Sequence, residues 1–449
     1  MKVFVQYGAG NIGRGFIGQL FSQGGYEVRF IDVNMDVVDA LNRNKSYPVT
    51  VIEGSFKEDI RVKNVSGIDG RDASAVAEAI AGADAMATAI GVNILPRIAG
   101  LLAQGIALRF ERQIRKPLDI IICENLLDAD KFLHKLISAQ LNEAQKDYFD
   151  THIGLVEASI GRMVPVMTRE QQEGDPLRVY VEKYCELPVD KDAFKGDIPS
   201  VPGIFPYSPF GFYIKRKLYI HNMGHALSSY LGNIKGAEFV WQSVDEPEVK
   251  LIVMRAMLES AAALSRQYGS GIDELLDHIY DLLRRFSNKA LADTVARVGN
   301  DVRRKLSAED RFAGAVKCCE ENGITPVFIP AGIAAALFFR NPADTNSAEL
   351  FDDLDAHGID HVLAKYCGIS ISSPVAGMIN EYYSCLEETK DISALLRSAE
   401  RNLSEITKGR RIVSRRDHDR YSLCRDIGCG CDRKAGGSSS GKRETRTCR

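Results

Sequence analysis

The sequence predicts an α/β fold: a parallel-sheet domain over 1–195, a mostly α-helical domain over 213–387, and an extension over 388–449. Three observations carry this. A strand, a glycine-rich turn and a helix follow one another at the extreme N-terminus. Short apolar runs then recur between helical stretches, the alternation that builds a parallel sheet. From about residue 213 the apolar period turns helical and stays so to about 387.

The 449 residues suggest two or three domains rather than one. Hydrophobic residues at 45% and charged residues at 26% are those of an ordinary globular protein. A formal net charge of −3 gives no electrostatic reason to bind nucleic acid or a membrane surface. The opening Met1-Lys2-Val3-Phe4-Val5 enters a strand pattern at once rather than a charged and apolar leader. No apolar run is long enough to span a bilayer. Ten scattered cysteines without a repeated framework read as reduced thiols, so a cytoplasmic location is expected.

The first strand is Lys2–Tyr7, and Gly8-Ala9-Gly10-Asn11-Ile12-Gly13 leads from it into a helical pattern at Phe16–Phe21. This is G-x-G-x-x-G between a strand and a helix. Gly8 allows the tight turn, Gly10 lets a pyrophosphate reach the backbone, and Gly13 lets the helix pack close to the strand. Free N–H groups at the helix start hold phosphates. Gly8, Ala9, Gly10, Asn11, Ile12 and Gly13 are therefore expected to bind a dinucleotide on a Rossmann-like domain. A second strand, Tyr26–Ile31, ends at Asp32, about 20 residues past the turn, where a carboxylate takes the ribose hydroxyls. That carboxylate would repel a 2′-phosphate, so NAD is favoured over NADP.

Further strands fit Ala83–Ile90 and Leu118–Cys123, continuous apolar runs suited to a sheet buried on both faces. The loops at their C-terminal ends, Gly91-Val92-Asn93 and Glu124-Asn125, lie where an open α/β sheet binds its ligand. Asn125 is a candidate cofactor contact and equally a turn residue. Leu177–Tyr184 alternates and reads as a strand of a small mixed sheet, and 195–212, rich in Gly and Pro, as a connection.

The helical domain begins with Lys217-Leu218-Tyr219-Ile220-His221-Asn222-Met223-Gly224-His225. At about 100° per residue, His225 falls at about 80° and Asn222 at about 140° from Lys217. A base, an amide donor and an imidazole could then face one cleft, a set suited to proton transfer coupled to carbonyl reduction. The same residues also read as a solvated basic pair, Arg216-Lys217, and a core histidine. A lysine base needs its pKa lowered by burial or nearby cations, and Arg216 is the candidate neighbour. Farther on, Arg297 to Arg311 gathers Arg297, Arg303, Arg304, Lys305 and Arg311, with Ser307 placed to cap a helix three residues before Asp310. Arginine forks suit a phosphate, although a solvated face or an internal ion-pair network reads equally well. Asp391–Ile406 fits an amphipathic helix, and beyond about 408 the chain is basic, polar and expected to be disordered. Cys424, Cys429, Cys431 and Cys448, with His418, lack the spacing of a zinc site, so no metal is expected.

With the glycine turn, the pattern Lys217-x4-Asn222-x2-His225 and the run Arg304-Lys305-Leu306-Ser307 with Asp310-Arg311 resemble the polyol-specific long-chain dehydrogenase/reductase (mannitol dehydrogenase) family over about residues 1–387. The resemblance implies NAD, no catalytic metal, and a sugar or polyol phosphate as the small-molecule partner. It implies Lys217 as general base, Asn222 as donor to the reacting oxygen and His225 as a substrate-binding partner. Arg297 and Lys305 match substrate contacts, and Arg304 of the cluster joins them as a candidate. The Gly8–Phe16 form points to the branch that interconverts D-mannitol 1-phosphate and D-fructose 6-phosphate. His221 and Met223 depart from Leu and Thr of bacterial relatives, and Glu157 stands where some relatives place a second oxyanion-hole asparagine. A monomer or weak homo-oligomer is expected. The alternatives are a family member acting on an unphosphorylated polyol or hexuronate, and a non-catalytic NAD-binding protein.

Overall fold

The structure is a computed structural model that describes residues 1–165 and 167–423. Its main body is Met1–Ala399, and a second unit begins at Glu400. The last helix spans Ile392–Leu423, so helical backbone runs through the part of the expected disordered stretch up to Leu423. The remainder of that stretch, 424–449, with Cys424, Cys429, Cys431 and Cys448, lies outside the described residues.

The first strand, β1, is Val3–Tyr7 and the second, β2, is Glu27–Asp32. A hairpin follows, β3 Ser46–Glu53 and β4 Phe56–Lys63, and then β5 Val65–Asp69. Next come β6 Ala85–Thr88, β7 Leu118–Ile122 and β8 Ile153–Glu157. Six strands form one sheet in the order β5-β2-β1-β6-β7-β8, every neighbouring pair parallel. Leaving out the hairpin, this is the doubly wound order 3-2-1-4-5-6, which reverses direction beside β1.

Strand periodicity explains why the runs are apolar throughout. Phe4, Val28, Phe30 and Ile121 point into one core, and Val5, Ile31, Ile120 and Ile122 into the other. Each face is covered, so neither alternate set can be polar.

The sequence pattern gave no sign of the β3–β4 hairpin. It is the centre of the small mixed sheet, where β9, Val179–Val181, lies parallel to β3. The connection over 195–212 also carries a strand, Ile204–Tyr207, paired with Leu187–Asp190.

From Gly211 to Thr389 the chain is helical, as the change of period predicts. Its central helices are Met223–Lys235 and Pro247–Tyr268. The latter is preceded by Glu246 and has proline at its first turn, then ends on Gly269 in the left-handed region. Among the described residues no helix is long and apolar enough to cross a membrane.

The sheet domain and the helical domain are joined by buried charge. Arg285 pairs with Glu182 at 2.6 Å, both almost fully buried, and also donates to the Gly161 carbonyl. Arg162 donates to the Glu182 carbonyl at 2.9 and 3.0 Å and to the Gly15 carbonyl at 2.9 Å. This network sets the cleft wall beside the glycine turn.

Candidate active site

Gly8 has φ of +96°, and a Cβ there would lie 2.4 Å from the Ala89 carbonyl oxygen. A Cβ on Gly13 would lie 2.0 Å from the Gly8 carbonyl oxygen, so the helix can approach only a glycine. Gly10 would meet nothing within 4 Å: the space above it is open, as a bound pyrophosphate requires. Arg14, buried, donates to the Ala9 carbonyl and braces the turn. Asp32 stands at the end of β2, where it accepts from Ala9 N at 2.7 Å and Asn34 N at 2.9 Å. Residues 8–13 and Asp32 therefore form one ledge at the carboxyl ends of the strands. Asn11 and Ile12 lie on it, Asn11 donating to the Pro165 carbonyl at 3.4 Å.

A cavity of about 480 Å³ opens beside this ledge, between the two domains. Ile12, Gly91 and Asn125 form its sheet-domain wall, and Lys217, Asn222 and His225 its helical wall. Glu124 shapes the floor: its carboxylate accepts from Ile90 N and Gly91 N, each at 2.9 Å. Gly91 has φ of +90°, so the loop turns there and leads away from the site. Burial raises the Glu124 pKa, with the two backbone donors opposing it.

Lys217 is recessed in the cavity wall, and its Nζ donates to Asn125 Oδ1 at 3.3 Å. The two are 92 residues apart. Its pKa is lowered to about 8, chiefly by burial, then by the Arg311 charge, against a small opposing effect of Cys123. Arg216, the expected neighbour, plays no part in this. It stacks on Tyr213, 4.6 Å from the ring centre.

The Lys217–Asn222 segment is also not α-helical but π-helical, before the α-helix resumes at Met223. The wider turn displaces the angles expected of a regular helix, yet Lys217, Asn222 and His225 still line one cavity.

His225 Nε2 faces Asp293 Oδ2 at 3.0 Å and its ring stacks on Phe286 with centres 4.8 Å apart. Asp293 also accepts from Arg297 Nε at 2.8 Å. Burial acts to raise the Asp293 pKa, but the His225 hydrogen bond and the Arg297 charge hold it below the usual range. Arg297 follows Asp293 by four positions, a spacing that could have revealed the pair. Neighbouring His221 is buried, and burial, then the Arg285 charge, push its pKa well down.

The basic segment divides. Arg297, Arg304 and Arg311 reach the cavity. Lys305 does not: its ammonium is buried on the carbonyls of Val298 and Asn300, and burial, then the Arg311 and Arg304 charges, lower its pKa to about 7. Ser307 caps no helix. The short helix Val302–Lys305 ends before it and the next begins at Ala313. Arg304 pairs with Asp301 and, at 2.9 Å, with Asp310. The ion-pair reading and the cavity-lining reading of this segment thus both hold.

Glu157 is not beside Lys217. Its carboxylate, at the carboxyl end of the outer strand β8, accepts from Ala129 N at 2.9 Å, with its pKa raised to about 7, first by burial and then by nearby Asp130 and Asp128. The amide that meets the lysine is Asn125.

A doubly wound sheet with an open glycine turn, facing a helical domain across a cavity, is the architecture of a two-domain, dinucleotide-binding oxidoreductase. The chain belongs to the mannitol dehydrogenase family: residues 2–203 match its Rossmann-domain model and residues 211–419 its C-terminal-domain model. It is 37% identical over 384 residues to the mannitol-1-phosphate 5-dehydrogenase of Brevibacillus brevis, spanning 86% of this chain and 98% of that protein. The mannitol-1-phosphate 5-dehydrogenase of Buchnera aphidicola subsp. Acyrthosiphon pisum (strain APS) is 33% identical over 88% of this chain and 99% of that protein. In fold, the chain is similar to substrate-free D-sorbitol dehydrogenase, with a TM-score of 0.73 at 14% identity over 88% of this chain and 94% of that one. Pseudomonas fluorescens mannitol 2-dehydrogenase, solved with NAD and D-mannitol, gives 0.70 at 15% identity over 90% and 94%.

Proposed function

We propose that the chain interconverts D-mannitol 1-phosphate and D-fructose 6-phosphate with NAD, Lys217 acting as the general base. One observation carries the reading. A lysine with a pKa lowered to about 8 sits in the cavity that joins the glycine turn to three arginines. NAD, held at the Gly8–Gly13 turn with its ribose at Asp32, supplies the hydride acceptor when bound.

The remaining chemistry belongs to the chain. Neutral Lys217 takes the proton of the C5 hydroxyl. Its hydrogen bond to Asn125 holds the amine so that the lone pair can face the substrate. Asn222 donates to the oxygen as negative charge builds there, an oxyanion-type contribution of order 3 kcal/mol. His225, held by Asp293 and Phe286, contacts the polyol hydroxyls. In the reductive direction Lys217 is protonated and returns the proton to the new alkoxide. The relatives' names support the phosphorylated substrate, and the arginines on the wall support an anionic one.

The test is NADH oxidation with fructose 6-phosphate against fructose, mannonate and tagaturonate, in EDTA, with Lys217→Ala alongside. Fructose 6-phosphate should be reduced far faster than the others, and Lys217→Ala should lose nearly all turnover while still binding NADH. Equal rates with unphosphorylated substrates would overturn the substrate, and near-normal turnover of the variant would overturn the base.

A further inference from the structure

The cavity wall carries four guanidinium groups, and they differ in what is left for a ligand. Arg162 donates to two backbone carbonyls and to Gln19 Oε1. Arg297 forks onto Asp293. Arg304 is held between Asp301 and Asp310. Arg311 spends only its Nε, on Asp310 Oδ1 at 2.8 Å. Among the described residues no group takes its two terminal nitrogens. Yet its side chain is only 8% exposed, and what it opens onto is the cavity. Its terminal donors thus face the cavity rather than a protein acceptor, where an acceptor with two oxygens can take them.

We propose that Arg311 is the residue that recognises the anionic end of the substrate, a phosphoryl group, with Asp310 holding the fork in place. This rests on the reading that the site takes a sugar phosphate. The planar fork matches two phosphoryl oxygens at once. A phosphate monoester carries about −1.5 to −2 charge near neutral pH. Arg304 is balanced between Asp301 and Asp310 and Arg297 by Asp293, so what Arg311 offers a phosphoryl group is its open terminal fork. Lys305, the cation of the segment that the resemblance favours, is excluded because its ammonium is already on two carbonyls.

Arg311 also lies near enough to Lys217 to lower its pKa. A structural arginine would not link phosphate preference to the lysine's titration, whereas this one links both. The same residue therefore selects the substrate and helps keep the base neutral.

The experiment compares wild type, Arg311→Gln and Arg311→Lys in NADH oxidation at pH 6.5, where Lys217 is protonated in each. Substrates are fructose 6-phosphate and fructose, with inorganic phosphate as inhibitor. For Arg311→Gln, kcat/KM with fructose 6-phosphate should fall about 100-fold or more, and with fructose by a much smaller factor. Inorganic phosphate should lose its competitive inhibition. Arg311→Lys, which keeps charge without the fork, should fall between. In the oxidative direction the pH midpoint of kcat/KM should move above the wild-type value in Arg311→Gln.

Unchanged preference for fructose 6-phosphate in a folded Arg311→Gln would overturn the assignment, as would equal loss on both substrates. Should the variants not fold, phenylglyoxal labelling of the wild-type enzyme decides. Inorganic phosphate should protect Arg311 from labelling, and absence of protection would overturn the proposal. A wild-type enzyme with no preference for fructose 6-phosphate over fructose would instead overturn the underlying reading.

Discussion

The lysine's titration is the most exposed point of the mechanism. Burial, then Arg311, bring Lys217 from 10.5 to about 8. At pH 8 about half of it is then neutral, whereas an unshifted lysine would be about 0.3% neutral. The difference is roughly 160-fold in the active form of the base for oxidation, all of it from the cavity. The sign follows from which form works. Oxidation needs the neutral amine, so kcat/KM for mannitol 1-phosphate should rise about tenfold per pH unit up to about 8 and then level off. Reduction needs the ammonium, so kcat/KM for fructose 6-phosphate should be flat below about 8 and fall about tenfold per unit above it. The assay is initial-rate NADH absorbance from pH 6 to 10.5, with both substrates subsaturating. An oxidative profile that keeps climbing beyond pH 10 would refute the lowered pKa. So would two profiles that both rise, or both fall, with pH.

Three further outcomes are expected. Asn222→Ala should lower kcat by about 100-fold, with KM for the sugar phosphate changed far less, because the donor matters most as charge develops; the reverse pattern in steady-state kinetics would make Asn222 a binding residue. Asp32→Ala should weaken NADH more than NADPH, and an unchanged ratio of the two dissociation constants by fluorescence titration would remove its ribose role. Glu259 accepts from Val327 N at 2.8 Å and from Phe328 N and Ile329 N at 3.0 to 3.1 Å, at the start of helix Phe328–Ala336. Glu259→Ala leaves those donors unmatched and should cost about 2–4 kcal/mol in denaturant unfolding, and a change below about 0.5 kcal/mol would show that water replaces it.

What the sequence determined by itself is whatever short-range spacing encodes. The turn Gly8–Gly13 requires glycine where a Cβ would strike the Ala89 or Gly8 carbonyl, and Asp32 follows at the end of the next strand. Continuous apolar strands announce a sheet covered on both faces, because each alternate set meets its own core. Lys217, Asn222 and His225 fall within nine residues, so their shared wall is legible even though the helix there is π rather than α. The β3–β4 hairpin was not legible, since half of its strands is solvated and its pairing lies outside the parallel sheet.

The tertiary structure alone decided how the charges are used. The resemblance offered Arg297 and Lys305 and the basic cluster added Arg304, but only folding turned Lys305 onto two carbonyls and left Arg311 facing the cavity. It also brought Asn125 to Lys217 across 92 residues and took Glu157 to Ala129. The reason is that burial and pairing set the worth of a charge, and both depend on neighbours that the local sequence does not contain.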